Sequence, residues 1–223
     1  MSKKVFIILS IVVLVAAAIA CTVFLITTAD LEPESRALSF DGCWRVFADG
    51  KADQGVEHFV FTDTQVKDYR DGTAKPYFES EYTVAGNVIT IKQLGQDFSV
   101  EQKTDSIRLL YNQNSTYLIV KVADDAYTNT KTFTAADLAG DYTVALHGNN
   151  VAGNETISFT NDRFVCNRDG AVYLDTTFAV DNNVLTVGPM RFYVCYADGN
   201  ELRFVEIADG ASYLGWSLVK DSK

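Results

Sequence analysis

Three short segments of this chain recur at one spacing. Phe59-Val60-Phe61-Thr62 is matched by Ile157-Ser158-Phe159-Thr160, Arg70-Asp71-Gly72 by Arg168-Asp169-Gly170, and Gly42-Cys43-Trp44 by Gly140-Asp141-Tyr142, each at an offset of 98. Self-similarity at a fixed period means that one supersecondary unit is used more than once. Further along, residues 84–91 match 180–187, Phe98-Ser99-Val100 matches Phe192-Tyr193-Val194, Ile107-Arg108-Leu109 matches Leu202-Arg203-Phe204, and Tyr117-Leu118 matches Tyr213-Leu214. There the offset drifts between 94 and 96, as turns of unequal length between equivalent strands would cause. The repeat therefore divides the chain into a first module over 38–123, a connector over 124–134 and a second module over 135–220.

Within each copy the apolar residues alternate over short runs, and turn signals return about every 8–12 residues, the pattern of antiparallel strands. Ile89 and Ile91 flank Thr90, Phe192 and Val194 flank Tyr193, and Leu214, Trp216 and Leu218 are spaced by two. A period of two places each set on one face of its strand. The turns are marked by Asp-Gly at 49–50, 71–72, 169–170, 198–199 and 209–210, and by Gly86-Asn87 and Asn182-Asn183. Such pairs accept positive φ and suit tight hairpins. Seven or eight strands per module are expected, with no helix beyond residue 26 except a turn around 135–138.

The Gly42-Cys43-Trp44 opening resembles the G-x-W start of lipocalins. The wider pattern is similar to the short lipocalin-like domains of bacterial cell-surface and exported proteins. It runs from Leu-x-Gly-x-aromatic through an Ile/Phe-x-Phe strand and an Asn-containing hairpin to a closing strand ending in Val-Lys. The second copy carries Tyr142 where the first has Trp44, and each copy is shorter than a full lipocalin. The resemblance implies an all-β fold of two tandem antiparallel barrels or barrel-like sandwiches, with Trp44 and Tyr142 as structural aromatics closing a barrel end. It leaves the ligand open, because function resides in sites rather than in folds.

Ahead of the modules, residues 5–26 form a run of 22 without charge or proline. As a helix it would extend roughly 33 Å, enough to cross a hydrocarbon core of about 30 Å. Lys3 and Lys4 precede it and Asp30, Glu32 and Glu34 follow, so residues 1–4 are expected in the cytoplasm and everything after the span outside it. Residues 27–37 then read as a linker. The alternatives are a cleaved signal peptide, with residues 16–20 as the small-residue site, and a lipoprotein anchored through Cys21. All three export the modules. The net charge of −10, with 19 Lys and Arg against 29 Asp and Glu, makes nucleic acid an unsuitable partner.

No catalytic constellation stands out. His58 and His147 occupy non-equivalent positions in the two copies, no Cys-x-x-Cys or His-x-x-x-His occurs, and the Asp-Gly turns lack the regular acidic spacing of a calcium loop. The expectation is a non-enzymatic protein with no metal and no cofactor. Cys166 and Cys195 could form a disulfide in an exported protein. The segment 68–78 mixes aromatics with charge, and Tyr69, Arg70, Tyr77 and Phe78 are its candidate recognition residues. The function expected is recognition of a protein or cell-envelope component, or spacing; the alternative is capture of a small apolar ligand inside one or both barrels.

Overall fold

The structure is a computed structural model describing residues 38–49, 56–111, 115–129, 131–148, 150–197, 200–208 and 211–222. The expected membrane span, the cytoplasmic N-terminus, the linker over 27–37 and Cys21 lie outside the described residues. Among the described residues no helix is long and apolar enough to cross a membrane.

The first module is a closed antiparallel barrel of eight strands: β1 (Gly42–Ala48), β2 (Glu57–Phe61), β3 (Gln65–Arg70), β4 (Phe78–Ala85), β5 (Val88–Ile91), β6 (Gln96–Gln102), β7 (Ser106–Tyr111) and β8 (Ser115–Lys121). Each strand pairs with the next, and β1 pairs with β8 to close the wall. A single-turn helix, α1 (Ala135–Leu138), leads into the second module. There follow β9 (Gly140–His147), β10 (Asn150–Val151), β11 (Glu155–Thr160), β12 (Arg163–Arg168), β13 (Ala171–Asp181), β14 (Val184–Val187), β15 (Met190–Tyr196), β16 (Glu201–Ala208) and β17 (Ala211–Lys220). Pairing of β9 with β17 closes a second eight-stranded barrel, with β10 as a short hairpin arm on β9. Full closure leaves a barrel without the unpaired edges that open sheets must protect.

The repeated turns carry the hairpins. Asp71 and Gly72 have φ of 52° and 70°, and Asp169 and Gly170 have 51° and 78°. Positive φ at both central residues is the turn whose twist matches that of the flanking strands. Ile89 and Ile91 are both fully buried, and Phe192 and Val194 both enter the core of the second barrel. The expectation for Leu214, Trp216 and Leu218 needs correction. The register jumps between Phe204 and Val205, with Phe204 opposite Trp216 and Val205 opposite Leu214, so Gly215 is an extra bulged residue. A bulge inverts the alternation. Trp216 and Leu218 therefore face the barrel interior, and Leu214 faces out.

The second barrel's interior is filled by Tyr142, Phe159, Phe164, Phe178, Phe192, Phe204 and Trp216, with ring pairs 4.8 to 6.5 Å apart. In the first barrel Phe40, Phe59, Phe61 and Phe98 are buried, and Phe61 packs edge-on against Tyr82 at 5.3 Å.

A second apolar cluster lies outside both barrel interiors. Cys43 and Phe47 of β1 and Leu118 and Val120 of β8 meet Leu146 of β9, Cys195 of β15, Val205 of β16 and Leu214 of β17. This explains why β1 is buried on both faces: Trp44 and Val46 point inward while Phe47 points to the other barrel, its ring 5.3 Å from Tyr193. The connector is built into the same junction. Ala123 N–H donates to the Tyr196 carbonyl at 3.3 Å, Tyr127 lies 4.1 Å from the Tyr69 ring, and Asn183 accepts from Phe133 N–H while donating to the Lys131 carbonyl.

Candidate functional site

The aromatics at the head of each module share one construction. Trp44 Nε1 donates to the carbonyl of Phe40 at 2.5 Å, and the Tyr142 hydroxyl donates to the carbonyl of Leu138 at 2.9 Å, in each case four residues back. Lys121 sits over the Trp44 ring and Lys220 over the Tyr142 ring. Both rings are buried, at 5% and 1% exposure, and burial pushes the Tyr142 hydroxyl up to about 12. These side chains tie the segment entering each barrel to its first strand.

The expected Cys166–Cys195 disulfide is not formed, and both residues are buried free thiols. Cys166 points into the interior of the second barrel, whereas Cys195 points out of it into the junction with the first. A bridge requires Cα atoms within about 7 Å and converging Cβ vectors. The barrel wall between them prevents it. Burial pushes the thiols of Cys43 and Cys166 up to about 12 and that of Cys195 up to about 11, so none is an activated nucleophile. Among the described residues no group of three or more His, Cys, Asp or Glu could hold a metal.

The candidate recognition segment divides in two. Tyr69 is buried against Tyr127, and Phe78 is half-buried against Phe59. Arg70 and Tyr77 stay at the surface, the guanidinium 4.0 Å from the ring centroid, and Tyr77 is 69% exposed. Behind the stack Arg70 pairs with Asp68 at 2.9 Å and with Glu57 at 3.4 Å. The second barrel repeats the arrangement. Arg168 lies 4.3 Å from the ring of Tyr173, which is 65% exposed, and pairs with Glu155 at 3.5 Å. Glu57 and Glu155 stand at the repeat offset of 98, as do Arg70 and Arg168. The partners behind differ. Asp68 is replaced by Cys166, which donates to Glu155 at 3.3 Å, and His147 Nδ1 lies 3.0 Å from Glu155. Despite burial, the bonds from His147 and Cys166 and the charges of His147 and Arg168 hold Glu155 below the usual carboxylate range. Asp68, fully buried with Oδ1 lacking a partner, is raised to about 6 by burial and then by Glu57.

A feature the sequence did not single out is a cavity of about 120 Å³ between the barrels, bounded by β1 and β2, the connector, the turn between β13 and β14, and β15. Arg45 and His58 form its polar wall and are 8% and 4% exposed. Arg45 Nη1 donates to the Glu57 carbonyl at 3.0 Å. Burial, and then the neighbouring Arg45, lowers His58 to about 3, so its ring is neutral. Nothing in the spacing of Arg45 and His58 marks them, because the cavity exists only once two barrels and a connector have packed.

No family model matches this chain, and no curated protein matches it.

Proposed function

We propose that this is a non-enzymatic, membrane-anchored extracytoplasmic protein, of the kind its resemblance to bacterial cell-surface lipocalin-like domains implies, whose paired barrels recognise a protein or cell-envelope partner. The supporting observation is the repeated surface stack, Tyr77 on Arg70 and Tyr173 on Arg168, at equivalent hairpins of the two copies. A large ring left mostly in water, held by a cation that is itself anchored by buried carboxylates, is a preorganised contact. The shared apolar junction holds the two stacks on one body rather than on flexibly linked beads. Capture of an apolar ligand inside a barrel has less support, because aromatic side chains occupy the interior that such a ligand would need.

The test is site-specific photocrosslinking in cells from positions 77 and 173, with exposed Glu101 of β6 as a control position. The same adduct from both stacks and none from position 101 is the expected result. Absence of adducts at both stacks would refute this reading.

A further inference from the structure

Each surface ring rests on an arginine whose anchor is sensitive to a single proton. In the first barrel Arg70 Nε donates to Asp68 Oδ2 at 3.0 Å, while Glu57 Oε1 is farther, 3.4 Å from Nη2. Asp68 is fully buried, and among the described residues its Oδ1 has no hydrogen-bond partner. A buried carboxylate with an unanswered oxygen favours its neutral form. Glu57 and Arg70 are the charged groups whose fields reach it, and burial followed by Glu57 raises it from 3.8 to about 6. Protonation therefore removes the negative charge nearest the guanidinium. Tyr77 stacks on that guanidinium, and its N–H donates to the Asp68 carbonyl at 2.7 Å.

The second barrel reaches the same dependence with different residues. At the repeat offset of 98, Cys166 stands for Asp68 and His147 for Asp49. His147 Nδ1 lies 3.0 Å from Glu155 Oε2 and 3.3 Å from Arg168 Nη2, so one nitrogen faces an acceptor and a donor at once. A neutral imidazole satisfies one of them: with a hydrogen, Nδ1 meets Arg168 donor to donor, and without one it meets Glu155 acceptor to acceptor. The imidazolium settles the conflict in favour of Glu155 and sets two cations side by side. Arg168 has the longer contact with Glu155, at 3.5 Å, and is the weaker competitor. Besides Glu155 of β11 and Arg168 of β12, His147 meets Trp216 of β17, 5.7 Å ring to ring, and pairs with Asn150 of β10. Its side chain is 43% exposed, which gives solvent protons access. Tyr173, carried on Arg168, is the extra residue where the register jumps between Cys166 and Asn167.

We propose that mild acid releases both surface rings: a proton on Asp68 frees Arg70 and Tyr77, and a proton on His147 drives Arg168 and Tyr173 off Glu155. This regulation rests on the reading of the two stacks as contacts for a partner. The copies share the glutamate, the arginine and the ring, and differ in the residue that takes the proton. One loses a negative charge beside the guanidinium and the other gains a positive one, so both stacks open in the same direction. A histidine side chain ordinarily changes charge between about pH 5 and 8, the range in which Asp68 also ionises.

The experiment places 4-fluorophenylalanine, which does not itself titrate, at position 77 or 173 of the full chain in lipid nanodiscs. The fluorine resonance is followed from about pH 8 to about pH 5. Each resonance should move through a one-proton transition, centred near 6 at position 77. Asp68→Asn should hold the position-77 resonance at its acid value and leave the response at 173 intact. His147→Gln should abolish the response at 173 and leave that at 77. A resonance at either position that does not move, or that moves alike with and without its substitution, would overturn the proposal. This readout needs no partner. Crosslinking from positions 77 and 173 should in turn fall roughly threefold or more between about pH 7.5 and about pH 5.5. A yield that holds at its neutral value would overturn the release and leave the recognition surface standing. Absence of adducts at every pH would refute recognition, and the fluorine titration would still decide the release.

Discussion

Arg108 of β7 and Arg203 of β16 hold equivalent places in the two copies, and each reaches across the junction into the other barrel. Arg108 donates from Nη2 to the Ser212 carbonyl at 2.6 Å and pairs through Nη1 with Asp49 at 2.6 Å, while Asp49 also accepts from Ser212 N–H. Arg203 donates to the Lys121 carbonyl and lies 3.5 Å from Asp105. Together with the apolar cluster between them, these bonds join the two barrels, which are expected to unfold as one cooperative unit. Charge-assisted hydrogen bonds are worth about 1.5–3 kcal/mol when largely buried. Arg203→Met should lower stability by about that amount, and Arg108→Met by somewhat less because its side chain is 19% exposed against 7%. Urea unfolding of the unaltered protein should be a single transition. The double variant should separate it into two, read by fluorescence and circular dichroism.

The bond from Tyr142 to Leu138 can be isolated without changing the ring. Tyr142→Phe removes the donor and leaves the packing, with an expected cost of about 1 kcal/mol. Trp44→Ala removes ring and bond together and should cost about 3–5 kcal/mol. Equal effects of the two substitutions in denaturant titrations would refute the shared locking role.

Asp68 should make stability depend on pH in the direction opposite to most carboxylates. Its folded value is raised from 3.8 to about 6, so its contribution is fully present below pH 3.8. That contribution is lost as the pH rises, because the unfolded chain ionises first, and the loss is complete once the folded-state group has also ionised near pH 6. Asp68→Asn should therefore gain stability relative to the unaltered protein between pH 4 and pH 7, by on the order of 2 kcal/mol. Parallel stability–pH curves for the two proteins would contradict this.

At Gly215 an added Cβ would lie 2.9 Å from Phe192 Cε1 and 3.1 Å from the Phe204 carbonyl. Gly215→Ala should cost about 1–3 kcal/mol through overpacking. Because one of the two obstacles is a side chain, adding Phe192→Leu should recover part of that loss in melting temperature.

The buried thiols of Cys43, Cys166 and Cys195 should resist alkylation by iodoacetamide in the native state and react fully in guanidinium. Reducing agent should leave the melting temperature unchanged. A downward shift on reduction would reveal a disulfide in the native protein.

Two architectural features were legible in the residues before folding was considered. The offset of 98 located two equivalent modules, and Asp71-Gly72, Asp169-Gly170 and Asn182-Asn183 located turns between strands, because backbone sterics and period-two burial act over a few neighbouring residues. Those signals carry no information about what a barrel's outer face meets. Phe47, Tyr193 and Leu214 read as ordinary strand positions, yet they pack in the inter-barrel junction. Tyr69 reads as a surface aromatic, and the connector covers it. The Gly215 bulge cannot be recognised from alternation alone, because an extra residue is defined only by its partner strand. The cavity of Arg45 and His58 belongs to the same class. Its walls come from strands and a connector brought together by burial of apolar area, a non-directional force that leaves no local motif. The chain by itself therefore determined two barrels of one design, and tertiary packing decided that they meet through an apolar junction and enclose a cleft.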